Sequence, residues 1–412
     1  MVQTGLFDDL GNHEGDEEAE ARVEARSGIE PMPTFYEFFA GGGMARAGLG
    51  NGWRCLFAND IDKKKAASYA ANWGHDHLVV RDVRALKAKD LPGNADLVWA
   101  SFPCQDLSLA GDQAGLKGER SGTFWPFWRI IKDLAKDERP PGVIVLENVC
   151  GALTSHQGKD FAAIVRALNS GGYRFGALVV DAVHFLPQSR PRLFIIGLRS
   201  DLEAPASFRR DRRDPLWHPE NLLDAYKNLS QKSKENWIWW NLPTPAKRKS
   251  VFADLIEDAP EGVVWHTASE TNRLLGMMTR VNLDKVEKAK LSGRRTIGGI
   301  YRRTRRDKNG QRAQRAEVRF DDVAGCLRTP TGGSSRQTIV IVEGAEVRTR
   351  LLSPREAVRL MGLPDKYQLP GNYNEAYHLA GDGVAVPVVR FLAEHIIEPL
   401  VKVSQKRRKA AA

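Results

Sequence analysis

The sequence predicts an open, doubly wound α/β domain joined to a second, smaller and strongly basic domain. Three observations carry the prediction. Several short β-rich apolar runs each end in a polar or charged group, the first run turns through glycines into a helix, and arginine is concentrated in one later stretch. In open α/β sheets ligands bind beyond the carboxyl ends of the strands, so the groups standing there are the candidate functional residues.

The elements follow in order. Residues 1–33 hold nine acidic side chains against two basic ones and few apolar residues, which reads as a disordered acidic lead. Thr34-Phe35-Tyr36-Glu37-Phe38-Phe39 is an aromatic strand, Ala40-Gly41-Gly42-Gly43 a turn, and Met44 to Leu49 a helix. That layout lets a nucleotide-like ligand lie on backbone with no Cβ to hold it away. By itself it is compatible with NAD, FAD or S-adenosylmethionine. The next strand, Arg54 to Ala58, ends at Asn59-Asp60-Ile61-Asp62. Asp60 there can accept two ribose hydroxyls with Ile61 against an adenine face, or can cap the helix that starts at Lys63. A third strand, Leu78 to Val80, ends at Arg81-Asp82-Val83 and offers a carboxylate to an exocyclic amine.

The run Ala95 to Ala100 leads into Phe102-Pro103-Cys104-Gln105, which presents Cys104 at a strand's carboxyl end. A thiol between proline and a polar pair suits a nucleophile, which needs exposure and a setting that favours thiolate; a buried structural cysteine is the alternative. After Arg120-Ser121-Gly122-Thr123-Phe124 and a helix from Trp125 to Leu134, the strand Val143 to Leu146 ends in Glu147-Asn148-Val149. Glu147 follows four buried aliphatics and is a candidate acid with a raised pKa, or else a helix cap. Leu178 to Phe185 then leads into Gln188-Ser189-Arg190-Pro191-Arg192 and the strand Leu193 to Leu198. Alternation places Arg190 and Arg192 on one face of an extended segment, where they would hold an anion and depress a nearby thiol's pKa.

With 412 residues and 42% hydrophobic content the chain can build two cored domains. No stretch approaches the roughly 18 apolar residues of a membrane span and no secretory leader is recognisable, so a cytoplasmic, nucleoid-associated protein is expected. Four scattered cysteines without a CxxC or His/Cys cluster point to a reducing compartment and no structural zinc. The net charge is +10; the first thirty residues carry −7, which leaves +17 for the rest and favours a polyanionic partner. Leu291 to Phe320 alone carries ten basic side chains, nine of them arginine, against Asp307 and Glu317. Guanidinium forks suit phosphates and the guanine edge better than ammonium groups do.

Taken together, Phe39-Ala40-Gly41-Gly42-Gly43, Pro103-Cys104-Gln105, Glu147-Asn148-Val149, Gln188 to Arg192, Arg350 to Glu356 and Gly381 to Pro387 appear in an order that resembles the DNA (cytosine-5) methyltransferase family, over nearly everything from Thr34 to about Val403. The resemblance implies a Rossmann-like, S-adenosyl-L-methionine-dependent methyltransferase domain with a smaller target-recognition domain. It also implies that Cys104 thiolate adds to C6 of a flipped-out cytosine, that Glu147 serves N3 and the amino group, that Arg192 holds O2, and that Arg190 supports the thiolate side. For the cofactor it implies Phe39, Ala40, Gly41, Gly42 and Gly43 in the first turn, Asp60 at the ribose, Ile61 and Phe124 on the two adenine faces, Asp82 and Val83 at the adenine edge, Pro103 at the methionine side, and Asp382 with Val384. Ser101, Ile61 and Asp382 depart from the family's usual residues. The first two departures look harmless, whereas Asp382 adds a negative charge near the site.

Double-stranded DNA is the implied partner, with a restriction endonuclease for the same site as a possible companion and a monomer as the expected state. The recognition residues expected at DNA are Arg294, Arg295, Arg302, Arg303, Arg305 and Arg306, mostly on phosphates, with Arg328 and Arg336 flanking the Gly332-Gly333-Ser334-Ser335 turn. Trp237-Ile238-Trp239-Trp240 reads as core. The expected organisation is an acidic lead (1–33), a catalytic cofactor-binding domain (34–200), a target-recognition domain (201–365), a return to the catalytic domain (366–404) and a solvated basic tail (405–412). An RNA cytosine methyltransferase of the same fold and a nucleotide-dependent oxidoreductase remain alternatives; the second leaves Gln188 to Arg192 and the basic stretch without a role.

Overall fold

The structure, a computed structural model, describes residues 31–103, 122–306, 310–327 and 336–411, with backbone alone for 305, 306 and 411. Most of the acidic lead, Cys104 with its neighbours up to 121, and Arg328 with the turn up to 335 lie outside the described residues.

Seven strands form the main sheet: β1 (Thr34–Phe38), β2 (Arg54–Asp60), β3 (Leu78–Val80), β4 (Leu97–Ala100), β5 (Val143–Val149), β6 (Tyr173–Asp181) and β7 (Pro191–Arg199). Their order is β3-β2-β1-β4-β5-β7-β6. Strands β1 to β5 run parallel, and the helices Met44–Leu49, Lys63–Trp73 and Phe124–Lys136 lie in their crossovers. β4 and nearly all of β5 are buried, as expected of parallel strands covered on both faces. β7 runs antiparallel between β5 and β6. Only residues 182–190 separate β6 from β7, which is too short for a parallel crossover, so the chain turns back as a hairpin. The order reverses between β1 and β4, and that switch point opens the crevice where ligands of such sheets bind.

One local expectation is corrected and another refined. Asp60 is the last residue of β2 and does not cap the next helix; Asp62 does, accepting from the backbone N–H groups of Lys64 (2.8 Å) and Lys65 (3.3 Å). The basic tail is solvated at Lys406, Arg407 and Lys409, but it is anchored. It is the last part of the helix Glu398–Ala411, where Gln405 Nε2 donates to Asp96 (3.0 Å), Arg408 pairs with the same buried carboxylate, and Arg407 pairs with Asp201 (3.3 Å). The helix Val386–Leu392 lies so close on Met44–Leu49 that Gly48 leaves no room for a Cβ beside Val389.

Trp217 and Trp240 are fully buried, and Trp237 and Trp239 pack on Tyr226, so the tryptophan cluster is core as expected. Its core belongs to the main sheet: Ile238 N–H donates to the Phe175 carbonyl of β6 (2.7 Å), while β8 (Arg209–Arg210) and β9 (Trp239–Trp240) pair alongside.

The second sheet is antiparallel, ordered β11-β10-β12-β13 from β10 (Thr296–Arg306), β11 (Arg312–Arg319), β12 (Thr338–Glu343) and β13 (Glu346–Leu351). Ile300, Val318, Val340 and Val342 share one core beneath the helix Arg280–Leu291, whereas Ile297, Ile339 and Ile341 join the large core. The arginine segment is therefore a pair of strands and not a loop. Beyond Ile300, β10 pairs with β11 alone, so its arginine-rich half extends past the four-stranded part. At the base of this sheet Arg350 is fully buried and makes bonds of 2.6 and 2.8 Å to the two oxygens of buried Glu356, which also closes the Ser353 capping box of the helix Pro354–Arg359.

Candidate functional site

The first strand end is held in a special conformation. Phe39 has φ 58° and Gly41 and Gly43 have φ of 56° and 75°, so the backbone turns through the left-handed region where side chains are disfavoured. Gly41 N–H donates to Asp60 Oδ2 (2.8 Å), and Asp62 N–H donates to Asp60 Oδ1 (2.8 Å). Each carboxylate oxygen keeps a lone pair for a further donor. Ile61 next to it is 64% exposed, an apolar face turned outward. The Gly42 carbonyl accepts from Tyr367 Oη–H (2.6 Å) and Trp73 Nε1–H (3.1 Å). Beneath the turn, Tyr69 Oη joins Arg46 and His77, and burial pushes the Glu37 carboxyl up to about 8.

The remaining cofactor candidates lie along the same edge, with one exception. Asp82 accepts from Arg84 N–H (2.9 Å) at the head of a short turn that buries Val83. Pro103 is exposed, and Asn148 Nδ2 fastens the preceding Phe102 carbonyl (3.0 Å), tying the end of β4 to that of β5. Asp382, the departure noted above, pairs with Lys65 Nζ at 2.6 Å, and Val384 is buried nearby in the chain. Lys65 answers the extra negative charge of Asp382. Phe124 is the exception: it is 1% exposed and packed against Phe102, Trp125 and Trp128, which makes it core and not an open ring surface.

The carboxyl end of β5 carries the second constellation. Antiparallel register sets Val149 opposite Arg192 and Glu147 opposite Phe194, so Glu147 and Arg192 are diagonal neighbours on one face. Arg192 Nε stands 3.2 Å from Glu147 Oε1. Burial pushes the Glu147 carboxyl above the usual carboxylate range, against the opposing pull of Arg192, Arg190 and a hydrogen bond from Ser101. The Ser101 hydroxyl accepts from Trp99 Nε1 (3.0 Å) and stands near enough to the candidate acid to draw its proton affinity down.

Arg190 is 1% exposed and turned elsewhere. Its Nη2 donates to the carbonyls of Gly381 (2.7 Å) and Gly383 (2.6 Å), and its Nη1 to that of Leu327 (3.1 Å). Both guanidinium groups act on the Glu147 carboxyl, Arg192 at contact distance and Arg190 from further off, while Arg190 is itself buried among the carbonyls of Leu327, Gly381 and Gly383. The described thiols Cys55 and Cys150 are pushed up to about 12 and about 11 by burial, so neither is poised as a thiolate at neutral pH.

Among the recognition arginines, Arg294 is exposed and Arg302 projects from the extended half of β10. Arg295 pairs with Asp258 and with Glu343 (3.1 Å), and Arg303 pairs with Glu317 (3.3 Å). These two charges are answered by nearby carboxylates, one of them the Glu317 already counted within the segment. Arg305 and Arg306 follow on the same strand; Arg328 lies outside the described residues. Arg336 stacks over Tyr373 at 5.3 Å and donates to Asn374.

Sequence reasoning missed Trp73, Tyr367, Lys65, Asn148 and the active disposition of Ser101. Each acts through contact with a residue distant in sequence, and only the Asn148 position within Glu147-Asn148-Val149 carried a local signal.

The fold and the sequence agree on one class: residues 33–398 match the C-5 cytosine-specific DNA methylase family, and the chain belongs to it. It is similar to the Type II methyltransferase M1.ScrFI of Lactococcus lactis subsp. cremoris, at 26% identity over 89% of this chain and 78% of that protein. It is likewise similar to the Type II methyltransferase M.HhaI of Haemophilus parahaemolyticus, at 25% identity over 88% of this chain and 93% of that protein. Among solved structures, the S. pombe Dnmt2 methyltransferase shares its fold with a TM-score of 0.54 at 18% identity, over 89% of this chain and 99% of that one. The Entamoeba histolytica methyltransferase EhMeth does so with 0.55 at 14% identity, over 90% and 99%.

Proposed function

We propose that this DNA cytosine-5 methyltransferase takes its methyl group from S-adenosyl-L-methionine and acts on a cytosine flipped out of duplex DNA. The observation that carries the reading is the Glu147–Arg192 pair at the carboxyl end of β5, one strand from the turn that leads to Cys104. Cytosine C5 is a poor nucleophile, so electrons must first be pushed into the ring. Cys104 thiolate adds to C6. Glu147, whose hold on a proton burial strengthens, donates to N3 as negative charge develops, and Arg192 holds both O2 and the Glu147 carboxyl in place. Once C5 carries the methyl group, a base takes the C5 proton, and the electrons of that C–H bond reform the ring double bond and expel Cys104 as thiolate.

The residues at the first three strand ends fit the cofactor. The turn Phe39 to Gly43 supplies close backbone approach, Asp60 has lone pairs for ribose hydroxyls, Ile61 offers an apolar face, and Asp82, Val83, Pro103, Asp382 and Val384 border the same crevice. When bound, S-adenosyl-L-methionine supplies an electrophilic methyl group. Asp60→Ala should weaken its binding by about 1.5–3 kcal/mol, the range for hydrogen bonds to a charged group. An unchanged dissociation constant in calorimetry would show that the ribose is held elsewhere.

The names of the relatives, Type II methyltransferases, support a modification role beside an endonuclease reading the same site. Transfer of labelled methyl groups tests the whole reading: 5-methylcytosine should appear in duplex DNA and not in tRNA. Label confined to RNA would replace the reading with an RNA methyltransferase.

A further inference from the structure

A cavity of about 440 Å³ opens between the helix Ala268–Gly276, the extended half of the β10–β11 hairpin and the start of β12. Three arginines from three separate elements line it: Arg273 from the helix, Arg302 from β10 and Arg336 just before β12. Arg273 lies outside the arginine-rich stretch, so sequence density alone gave no reason to single it out. We propose that these three arginines form a seat for one backbone phosphate of the DNA duplex. The inference rests on the reading of the protein as a DNA methyltransferase and names a contact that reading leaves open.

The charge balance favours an anion. Glu270 is the one carboxylate among the lining residues, and its Oε2 already accepts from Thr267 N–H (2.7 Å) and Oγ1–H (2.9 Å) in a capping box. Among the described residues neither Arg273 nor Arg302 enters an ion pair, unlike Arg295 and Arg303. Arg336 is fixed by stacking on Tyr373 and by Asn374, and its Nε is buried without a partner. The floor is apolar, from Leu274, Met277 and Leu351, which weakens screening of the charges above it.

The position favours DNA over a small free anion. Arg336 follows Leu327 by nine residues, and the Leu327 carbonyl is held by Arg190, two residues from the Arg192 that faces Glu147. In this proposal a duplex that reaches Glu147 also passes the cavity, whose Arg336 adjoins Gln337, tied by its N–H to Tyr377 Oη (3.0 Å) of the helix whose Gly381 carbonyl Arg190 holds.

Salt dependence decides the matter because its slope counts phosphates and not arginines: each neutralised phosphate of B-DNA contributes about 0.9 to the slope of log affinity against log salt. Losing one side chain leaves that phosphate neutralised only in part, so Arg273→Gln and Arg302→Gln should each flatten the slope by a fraction of about 0.9, and the double variant by no more than about 0.9 in total, because both side chains serve one phosphate. Cognate and unrelated duplexes should weaken alike. Arg273→Lys should keep the slope, and Arg280→Gln, which removes one charge from the neighbouring helix, should leave it unchanged.

A loss near 1.8 in the double variant would mean two separate phosphates and would overturn the single seat. An unchanged slope in both Gln variants, with wild-type protein still methylating DNA, would overturn the seat alone. Wild-type protein that neither binds nor methylates duplex DNA would overturn the seat together with the functional reading. Circular dichroism of each variant establishes that it is folded, and either single variant suffices should the other fail to fold.

Discussion

Glu147→Gln should slow methyl transfer by about 10²- to 10⁴-fold, the range associated with a positioned proton donor, while cofactor affinity stays unchanged. Glutamine keeps the shape of the side chain and an N–H to point at N3 but has no proton to transfer. It also gives up the charge that Arg192 meets at 3.2 Å. The pH dependence supplies an independent readout. Burial raises the Glu147 carboxyl, so the proton is retained to a higher pH than on an ordinary glutamate. Activity that needs the protonated form is full below that raised pKa and falls as pH rises through it. The falling limb should vanish in the Gln variant. A loss under about tenfold in single-turnover transfer would remove Glu147 from the chemistry, since general acid catalysis contributes more than that.

Cys104→Ser should abolish the denaturation-resistant adduct that wild-type protein forms on a duplex carrying 5-fluorocytosine at the target. The trap works because fluorine at C5 cannot leave as a proton does, so the bond from sulfur to C6 persists. Serine places an oxygen where sulfur stood but is a far weaker nucleophile at its ordinary pKa. Because burial keeps Cys55 and Cys150 protonated, peptide mapping of the trapped complex should find Cys104 and neither of those two. An adduct that survives in the Ser variant would place the nucleophile at another residue.

The strand ends were legible because their signal is local. An apolar run, an abrupt glycine or proline and a charged residue mark where a buried strand emerges; β1, β3 and β4 emerge at or within a residue of the expected ends, whereas β2 runs two residues further, through Asp60, and β5 three further, through Val149. Asp60 and Glu147 could be named for the same reason. What was illegible depended on register or on distant contacts. Nothing within Arg190-Pro191-Arg192 tells that one guanidinium meets Glu147 while the other is sealed among the carbonyls of Leu327, Gly381 and Gly383. The arginine segment misled in the opposite way: its charge density hid the β period beneath it, although Ile297, Ile300 and Val318 occupy the inner positions of paired strands. Phe124 packs in the core of this structure, which its position could not foretell, because an aromatic side chain at a helix start serves a core as readily as a ligand face.

The close seating of Val386–Leu392 on Met44–Leu49 has a consequence for biosynthesis. A chain emerging from the ribosome folds unit by unit from its amino end. Here the first helix exposes an apolar face until residues more than three hundred positions later have been made, and the Gly42 carbonyl waits as long for Tyr367. The strands of the second sheet all lie between residues 296 and 351 and are translated before those closing segments. The second sheet can therefore assemble while the face of Met44–Leu49 and the Gly42 carbonyl are still uncovered, and that edge of the main sheet is completed as one of the last events of synthesis.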